Sequence, residues 1–238
     1  MLPALFGGIG LAGAAVWAGF QTMWPTSQIC GRTFTGLTRG SRLLALTYDD
    51  GPSDPYTLRM LEVLARHNVK ATFFLIGQFV QEKPAIARAV AEAGHALGNH
   101  TWSHPNLIFC SQAEVRREIE QADRAIYDAT GLQPRLFRPP FGARRPATLR
   151  AVRRLGLEPV MWNVTCYDWK ARSAQEIAGH AQRQVGGGNV ILLHDGSHVR
   201  MGANRSRTVE ATGQIVERYL ADDYRFVTVP EMMGGARG

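Results

Sequence analysis

The sequence predicts an α/β fold in which about seven parallel strands alternate with helices and close, or nearly close, into a barrel. Short apolar runs of strand length alternate along the chain with longer segments whose apolar residues recur at helical spacing. Some of the strand-like runs, such as residues 43–46 and 190–193, are continuously apolar, as expected when helices cover a parallel sheet on both faces. The length of 238 residues also matches that of a single α/β barrel.

The predicted elements begin with a strand that starts at the apolar run 43–46 and stops at Gly51 and Pro52. A helix is expected next over residues 55–67, with an apolar stripe made of Leu58, Leu61, Val63 and Leu64. Further strands are expected over residues 71–76, 95–98, 135–138, 158–164, 189–193 and 225–229. Further helices are expected over residues 78–93, from a capping box at Ser111 to Gly131, over residues 146–155, from a capping box at Ser173 to Gln184, and over residues 207–220.

The N-terminal residues 1–24 contain no charged side chain and are dominated by Leu, Ala, Gly, Ile, Val, Phe and Trp. Such a run is long enough to cross a bilayer, which takes roughly 20 apolar residues. No basic residue precedes it, so an uncleaved membrane anchor is favoured over a signal peptide. Arg32, Arg39 and Arg42 lie on its C-terminal side, which favours a cytoplasmic domain, although a large folded domain can override that tendency.

Composition divides the rest of the chain into a linker over residues 25–40, a folded domain over residues 41–231 and a flexible tail over residues 232–238. The formal charge of +7 suggests an anionic polymer or lipid headgroups nearby. The arginines are scattered along predicted helices without interleaved aromatic residues, so nucleic acid is not expected as a partner. The three cysteines show neither the spacing of a disulfide framework nor that of a zinc site.

Polar side chains follow the ends of several predicted strands. Chemistry in a parallel barrel takes place at the C-terminal ends of the strands, so these side chains are expected to converge. They are Asp49 and Asp50 after the first strand, His100 and His104 after the third, Arg138 after the fourth, Asp168 and Trp169 after the fifth, and His194 and Asp195 after the sixth. Each also has a structural explanation when taken alone; Asp-Asp-Gly-Pro, for example, is a good turn sequence.

His100 and His104 are spaced so that, on a helical turn, both imidazoles would reach one divalent ion. Thr101 stands where a zincin helix carries its glutamate, so the general base must come from elsewhere. Asp50 is the obvious third ligand, and such a set leaves room for water and substrate. Asp49 is expected to point in another direction and to take a proton from the bound water.

Five segments in this order resemble the motifs of the polysaccharide deacetylases, the NodB-type enzymes of carbohydrate esterase family 4. They are Thr47-Tyr48-Asp49-Asp50-Gly51, His100-Thr101-Trp102-Ser103-His104, Arg138-Pro139-Pro140-Phe141-Gly142, Asp168-Trp169 and Leu192-Leu193-His194. The resemblance implies a deformed (β/α) barrel, with residues 41–231 as its catalytic domain. It also implies metal-dependent removal of N-acetyl groups from an N-acetylhexosamine polymer, either peptidoglycan or a chitin-like glycan.

By this resemblance Asp49 is the general base, and Asp50, His100 and His104 hold a divalent ion whose bound water is the nucleophile. Zinc is expected first, with cobalt, nickel and iron(II) as alternatives. His194 is the general acid that protonates the departing amine. The remaining implied roles are orientation of Asp49 by Arg138, fixing of the His194 ring by Asp168, donation to the oxyanion by the backbone N–H of Phe141, and lining of the pocket by Trp169 and Leu192.

Two other classes of protein stay open. A pseudoenzyme would bind glycan or metal without turnover, and a glycoside hydrolase would use Asp49 and Asp50 as its carboxylate pair. The expected partners are an acetylated glycan and, through residues 1–24, a membrane, with the chain as a monomer. The expected location is the cell envelope, with the domain anchored and facing outward or secreted.

Overall fold

The computed structural model of the chain describes residues 19–234. The strands are β1 (Leu43–Gly51), β2 (Thr72–Leu75), β3 (Ala96–Asn99), β4 (Leu136–Phe137), β5 (Glu158–Pro159), β6 (Val164–Thr165), β7 (Asn189–His194) and β8 (Arg225–Phe226). From β1 onward the helices are α1 (Tyr56–Arg66), α2 (Gly77–Glu82), α3 (Pro84–Glu92), α4 (Gln112–Thr130), α5 (Pro146–Arg154), α6 (Ala174–Gln184), α7 (Ser206–Ala221) and α8 (Val229–Gly234), with a 3-10 turn at Pro140–Gly142.

The strands form one parallel sheet in the order β5-β4-β3-β2-β1-β7-β6, and the short β8 also pairs with β1. The two edge strands, β5 and β6, are consecutive in the chain and are joined by residues 160–163. The sheet therefore curls into a half-barrel whose edges approach each other. This confirms the predicted α/β barrel of about seven parallel strands.

Alternation along β1 decides which side chains reach the interior of the half-barrel. Leu44, Leu46 and Tyr48 pack in the apolar layer between sheet and helices, whereas Ala45 packs with the inward-facing cluster. Successive side chains of a strand point to opposite faces, so Asp49 shares the inward face with Ala45. The apolar strand thus delivers a buried carboxylate to the inner, C-terminal end of the barrel.

The structure divides two of the predicted elements, and a proline explains the first division. The single helix expected over residues 78–93 is wrong, because α2 ends at Glu82 and α3 begins at Pro84. A proline starts a helix readily but disfavours helical geometry in the residue before it, and Lys83 has φ −128° and ψ 58°. The strand expected over residues 158–164 is likewise split, since β5 ends at Pro159 and β6 begins at Val164.

Two smaller predictions are also wrong. Leu58, expected on the buried stripe of α1, is 38% exposed, and Met60 is buried on that helix instead. The last strand is shorter than the expected 225–229, because β8 ends at Phe226 and the helix α8 begins at Val229. Residues 235–238 lie outside the described part of the chain.

The stretch expected to be a linker, residues 25–40, contacts the barrel in two places. Phe34 forms a parallel bridge with Val160, and Gly36 forms an antiparallel bridge with Asn189. The division of the chain into domains stays a prediction. The expected anchor, residues 1–24, lies mostly outside the described part of the chain, which begins at residue 19. Within residues 19–234, no helix has the length and apolar character needed to cross a membrane.

Candidate metal centre and catalytic cleft

A bulge at the end of β1 brings the two adjacent aspartates to one site. The pairing of β1 with β2 shifts between Asp49 and Gly51, and Asp50 has φ 71°. Extended geometry therefore stops at Asp50, and both carboxylates approach the same imidazole. The Nε2 atom of His100 lies 3.8 Å from Oδ2 of Asp49 and 3.6 Å from Oδ1 of Asp50.

The two histidines of the second motif lie on a loop, so the expected helical turn is wrong. Thr101 and His104 have φ values of 68° and 59°, in the left-handed region. Asn99 accepts the backbone N–H of Thr101 at 2.7 Å, and the Thr101 hydroxyl accepts the backbone N–H of His104 at 3.1 Å. This hydrogen-bonded loop places the imidazoles of His100 and His104 with ring centroids 4.9 Å apart.

Asp50, His100 and His104 form a buried cluster with the composition of a divalent-metal site. One ligand atom from each lies within 4.8 Å of the others. Oδ1 of Asp50 is 3.2 Å from Nε2 of His104, yet this buried oxygen has no hydrogen-bond partner among residues 19–234. An unpaired carboxylate oxygen facing two imidazoles is the arrangement that a divalent cation satisfies.

The charge states of this cluster also suit a cation. Burial lowers the pKa of His100 to about 4 and that of His104 to about 3, so both imidazoles are neutral at pH 7. Burial acts to raise the pKa of Asp50, but the hydrogen bond from His198 and the nearby charge of His194 lower it overall. Neutral imidazole and ionised carboxylate are the forms that bind metal, so these three residues fit a divalent ion.

Arg138 holds Asp49 from inside the half-barrel. Its Nη1 atom donates to Oδ1 of Asp49 at 2.7 Å and to the hydroxyl of Thr47 at 2.8 Å, and its side chain is completely buried. The backbone carbonyl of Arg138 is also 2.7 Å from Nδ1 of His100, which leaves Nε2 of that ring for the cluster. Burial raises the pKa of Asp49 although Arg138 opposes the change, so the carboxylate is more basic than usual.

His194 is held by Asp168 on the neighbouring strand end. Oδ1 of Asp168 lies 2.8 Å from Nδ1 of His194, and Oδ2 accepts the backbone N–H of the same residue at 2.9 Å. Burial would lower the pKa of His194, but Asp168 outweighs it and raises this pKa to about 9. The imidazole is therefore protonated at pH 7, which is the state of a proton donor.

A single cleft with a cavity of about 490 Å³ is lined by Asp49, Asp50, His100, His104 and His194. All three residues expected to bind substrate line it, namely Phe141, Trp169 and Leu192. Phe141 has φ 58° in the 3-10 turn, and no acceptor among residues 19–234 takes its backbone N–H. The Trp169 ring stands edge-on to His194, with centroids 5.2 Å apart. The cleft thus joins apolar surfaces to a free donor beside the metal cluster.

Sequence reasoning missed several residues of this site. His198 donates its backbone N–H to Oδ2 of Asp50 at 3.2 Å, and its ring stacks on His104 with centroids 4.2 Å apart. Its only signal was a second histidine four residues after His194. Thr208 donates to Asp168 at 3.0 Å from α7, and Met23 lines the cleft from the N-terminal side. Both lie outside the recognised motifs, and no local pattern marks them.

A parallel half-barrel with a carboxylate–imidazole cluster at its strand ends defines a (β/α)-barrel protein with a candidate divalent-metal centre. The chain belongs to the polysaccharide deacetylase family, whose family model matches residues 36–160. A peptidoglycan-N-acetylglucosamine deacetylase of Bacillus cereus is 36% identical over 189 residues, which cover 79% of this chain and 67% of that protein. A chitooligosaccharide deacetylase of Azorhizobium caulinodans is 38% identical over 161 residues, covering 67% of this chain and 77% of that protein.

Other relatives are longer than this chain. The Listeria monocytogenes protein PgdA, a peptidoglycan-N-acetylglucosamine deacetylase, is 35% identical over 82% of this chain, but the match covers only 39% of PgdA. Among solved structures, a peptidoglycan N-acetylglucosamine deacetylase in complex with 4-naphthalen-1-yl-N-oxidanyl-benzamide has a TM-score of 0.78 at 35% identity, covering 84% of this chain and 91% of that one. A CE4 family pseudoenzyme from Bacillus anthracis has the same TM-score of 0.78 at 27% identity, covering 84% of this chain and 68% of that one.

Proposed function

We propose that the protein removes N-acetyl groups from an N-acetylhexosamine polymer, either peptidoglycan or a chitin-like glycan, with the help of a divalent ion. The observation that carries this proposal is the grouping in one cleft of a metal-type cluster, a buried base and a protonated histidine. Asp50, His100 and His104 would hold the ion, and zinc is the ion that two imidazoles and a carboxylate suit first. A bound divalent ion supplies Lewis-acid polarisation and lowers the pKa of water to about 7.

Asp49 is the proton acceptor in this proposal. Its carboxylate takes a proton from water as the water oxygen forms a bond to the acetyl carbon. Arg138 fixes the carboxylate through Oδ1, and Oδ2 lies toward His100 on the side of the metal cluster. Because the pKa of Asp49 is raised, proton acceptance is more favourable than for an ordinary aspartate.

The proposed reaction needs a hydrogen-bond donor for the negative charge that develops on the carbonyl oxygen. It also needs a proton donor for the sugar nitrogen that leaves. The free backbone N–H of Phe141 would donate to the carbonyl oxygen as negative charge grows on it, a contribution of roughly 3 kcal/mol for one such donor. His194 would then give its Nε2 proton to the sugar nitrogen as the carbon–nitrogen bond breaks. Nδ1 of His194 faces Asp168, so Nε2 is the nitrogen left for this transfer. Acetate and a protonatable sugar amine leave as products.

Acetate release tests this proposal directly. Purified full-length protein is incubated with N-acetylated chitooligosaccharides and with peptidoglycan, each with a chelator and then with zinc, cobalt, nickel or iron(II) added back. We expect acetate without new reducing ends, loss of release in chelator, and recovery with metal. New reducing ends without acetate would instead identify a glycoside hydrolase, and no acetate from any acetylated glycan with metal supplied would refute the proposal.

A pseudoenzyme is the second candidate, because one of the structural neighbours is described as a pseudoenzyme. This chain carries the buried base, the metal-type cluster and the acid together, which favours turnover. Glycan binding that survives Asp49→Asn, together with no acetate from the unaltered protein, would support the second candidate. We also propose a location at the cell envelope, where such glycans occur, and cell fractionation would test it.

A further inference from the structure

One wall of the cleft comes from a segment that precedes the residues matched by the family model. Met23 lines the same cavity as Asp49, His104 and His194. The family model begins its match only at residue 36. Met23 is 44% exposed, so its side chain is available to a ligand that enters the cleft.

The buried side chain of Arg144 fixes this segment in place. Its Nη2 atom donates to the carbonyl of Trp24 at 2.9 Å and to that of Ser27 at 2.6 Å. Its backbone N–H donates to the carbonyl of Thr22 at 3.0 Å. Arg144 is 0% exposed, and hydrogen bonds from a charged donor are stronger than neutral ones. The residues around Met23 are therefore a built part of the barrel.

The same arginine ties the segment to the turn that carries Phe141. Nη1 of Arg144 donates to the carbonyl of Gly142 at 2.8 Å. The backbone of the two segments is in close contact, since a Cβ atom added at Gly142 would lie 3.3 Å from the carbonyl oxygen of Met23. The position of Met23 relative to the proposed oxyanion donor is consequently fixed.

Two exposed aromatic side chains lie in the same segment as Met23. Trp24 is 49% exposed and Phe20 is 56% exposed, and their ring centroids are 5.1 Å apart. Aromatic side chains offer a large flat apolar face with little conformational freedom to lose on binding. The faces of pyranose rings carry C–H groups that match such a surface.

We propose that Met23 and Trp24 form an additional sugar subsite, which contacts the hexosamine next to the one that is deacetylated. This inference rests on the proposed function. A glycan is the favoured occupant, rather than a lipid bilayer, because Met23 shares its cavity with the charged groups Asp49 and His194. Those groups are compatible with a hydroxyl-rich ligand and costly to place against hydrocarbon.

The test compares Met23→Ala and Trp24→Ala in the full-length protein on chitooligosaccharides of increasing length. We expect KM to rise roughly three- to tenfold for the longer substrates, because partly exposed apolar surface is no longer covered on binding. We expect little change in KM for the shortest cleaved substrate and little change in kcat for any. Leu132→Ala is the matched control, since Leu132 is also 49% exposed but follows α4, outside the segment that contains Met23 and Trp24.

Binding in the Asp49→Asn background separates this inference from the proposed function. Calorimetric titration with the same oligosaccharides should show the same length-dependent loss of affinity in the Met23 and Trp24 variants, whether or not acetate is released by the unaltered protein. Equal affinities in variants and control, or a loss that does not depend on substrate length, would overturn the subsite. So would loss of binding to phosphatidylcholine vesicles with sugar affinity unchanged, which would assign the surface to a membrane.

Discussion

Asp49 on β1 and His194 on β7 are paired residues of two neighbouring parallel strands. Each is held by its own partner, Asp49 by Arg138 at 2.7 Å and His194 by Asp168 at 2.8 Å. The register of a buried sheet is strongly fixed, because a shift of one residue would turn every side chain to the other face. The pairing of β1 with β7 therefore fixes the position of the proposed base relative to the proposed acid.

The protonation of His194 predicts a loss of activity at high pH. Its pKa is raised to about 9, so the imidazole holds its proton at pH 7 and loses it as the pH rises through that value. We expect kcat to fall with an apparent pKa near 9, measured by acetate release across the alkaline range. Asp168→Asn should move this limb toward the ordinary histidine pKa of about 6.5. An alkaline limb that Asp168→Asn leaves in place would contradict the assignment of His194.

Removal of Arg138 is expected to destabilise the protein and to slow catalysis. Arg138→Met leaves the carboxylate of Asp49 buried without its charged partner, which typically costs about 3–5 kcal/mol. The pKa of Asp49 should rise further, so the acidic limb of the pH profile should move upward. The matched control is Arg150→Met on the exposed face of α5, where a change within about 0.5 kcal/mol is expected. Equal unfolding free energies for the two variants in urea would argue against this prediction.

Close packing of Gly196 against the Asp50 backbone predicts that no larger residue can replace this glycine without displacing Asp50. A Cβ atom at Gly196 would overlap the carbonyl oxygen of Asp50, so Gly196→Ala should shift Asp50, the proposed metal ligand, and cost about 1–3 kcal/mol. Gly213→Ala on α7 is the control, since its added Cβ atom meets only Val63 Cγ1 at 3.8 Å. That change should be neutral or stabilising by up to about 1 kcal/mol. Calorimetric metal affinity in Gly196→Ala equal to that of Gly213→Ala would contradict the packing argument.

The fold was predictable because its signals are local and periodic. Continuous apolar runs such as residues 43–46 identify buried parallel strands, and the capping box at Ser111 is present as expected, with the left-handed Gly131 at the end of α4. What sequence patterns did not reveal was the division near Pro159, where the strands on either side have only two residues each. Strands that short are set by pairing with their neighbours and leave little periodicity to read.

The site was predictable where chemistry required a residue type and unpredictable where the backbone did the positioning. The spacing of His100 and His104 indicated a shared ion. The two imidazoles are brought together on a loop and not on a helix, because Thr101 and His104 have positive φ values. The hydrogen bond from His198 to Asp50 comes from a backbone N–H, which any residue except proline carries, and the stacking of its ring on His104 joins residues that are far apart in the sequence. Met23 lines the cleft from a segment that the distant Arg144 holds by hydrogen bonds, and such long-range contacts leave no local signature.

The division of roles between Asp50 and Asp49 is tested most directly by the metal content of two matched variants. Asp50→Asn removes a charged ligand of the proposed ion, whereas Asp49→Asn removes the proposed proton acceptor and leaves the cluster of Asp50, His100 and His104 intact. Full-length protein of each variant is equilibrated with zinc and dialysed, and bound metal and acetate release are measured on the same sample. We expect Asp49→Asn to retain metal at the level of the unaltered protein without releasing acetate, and Asp50→Asn to lose most of its metal. Equal metal loss in both variants would contradict the assignment.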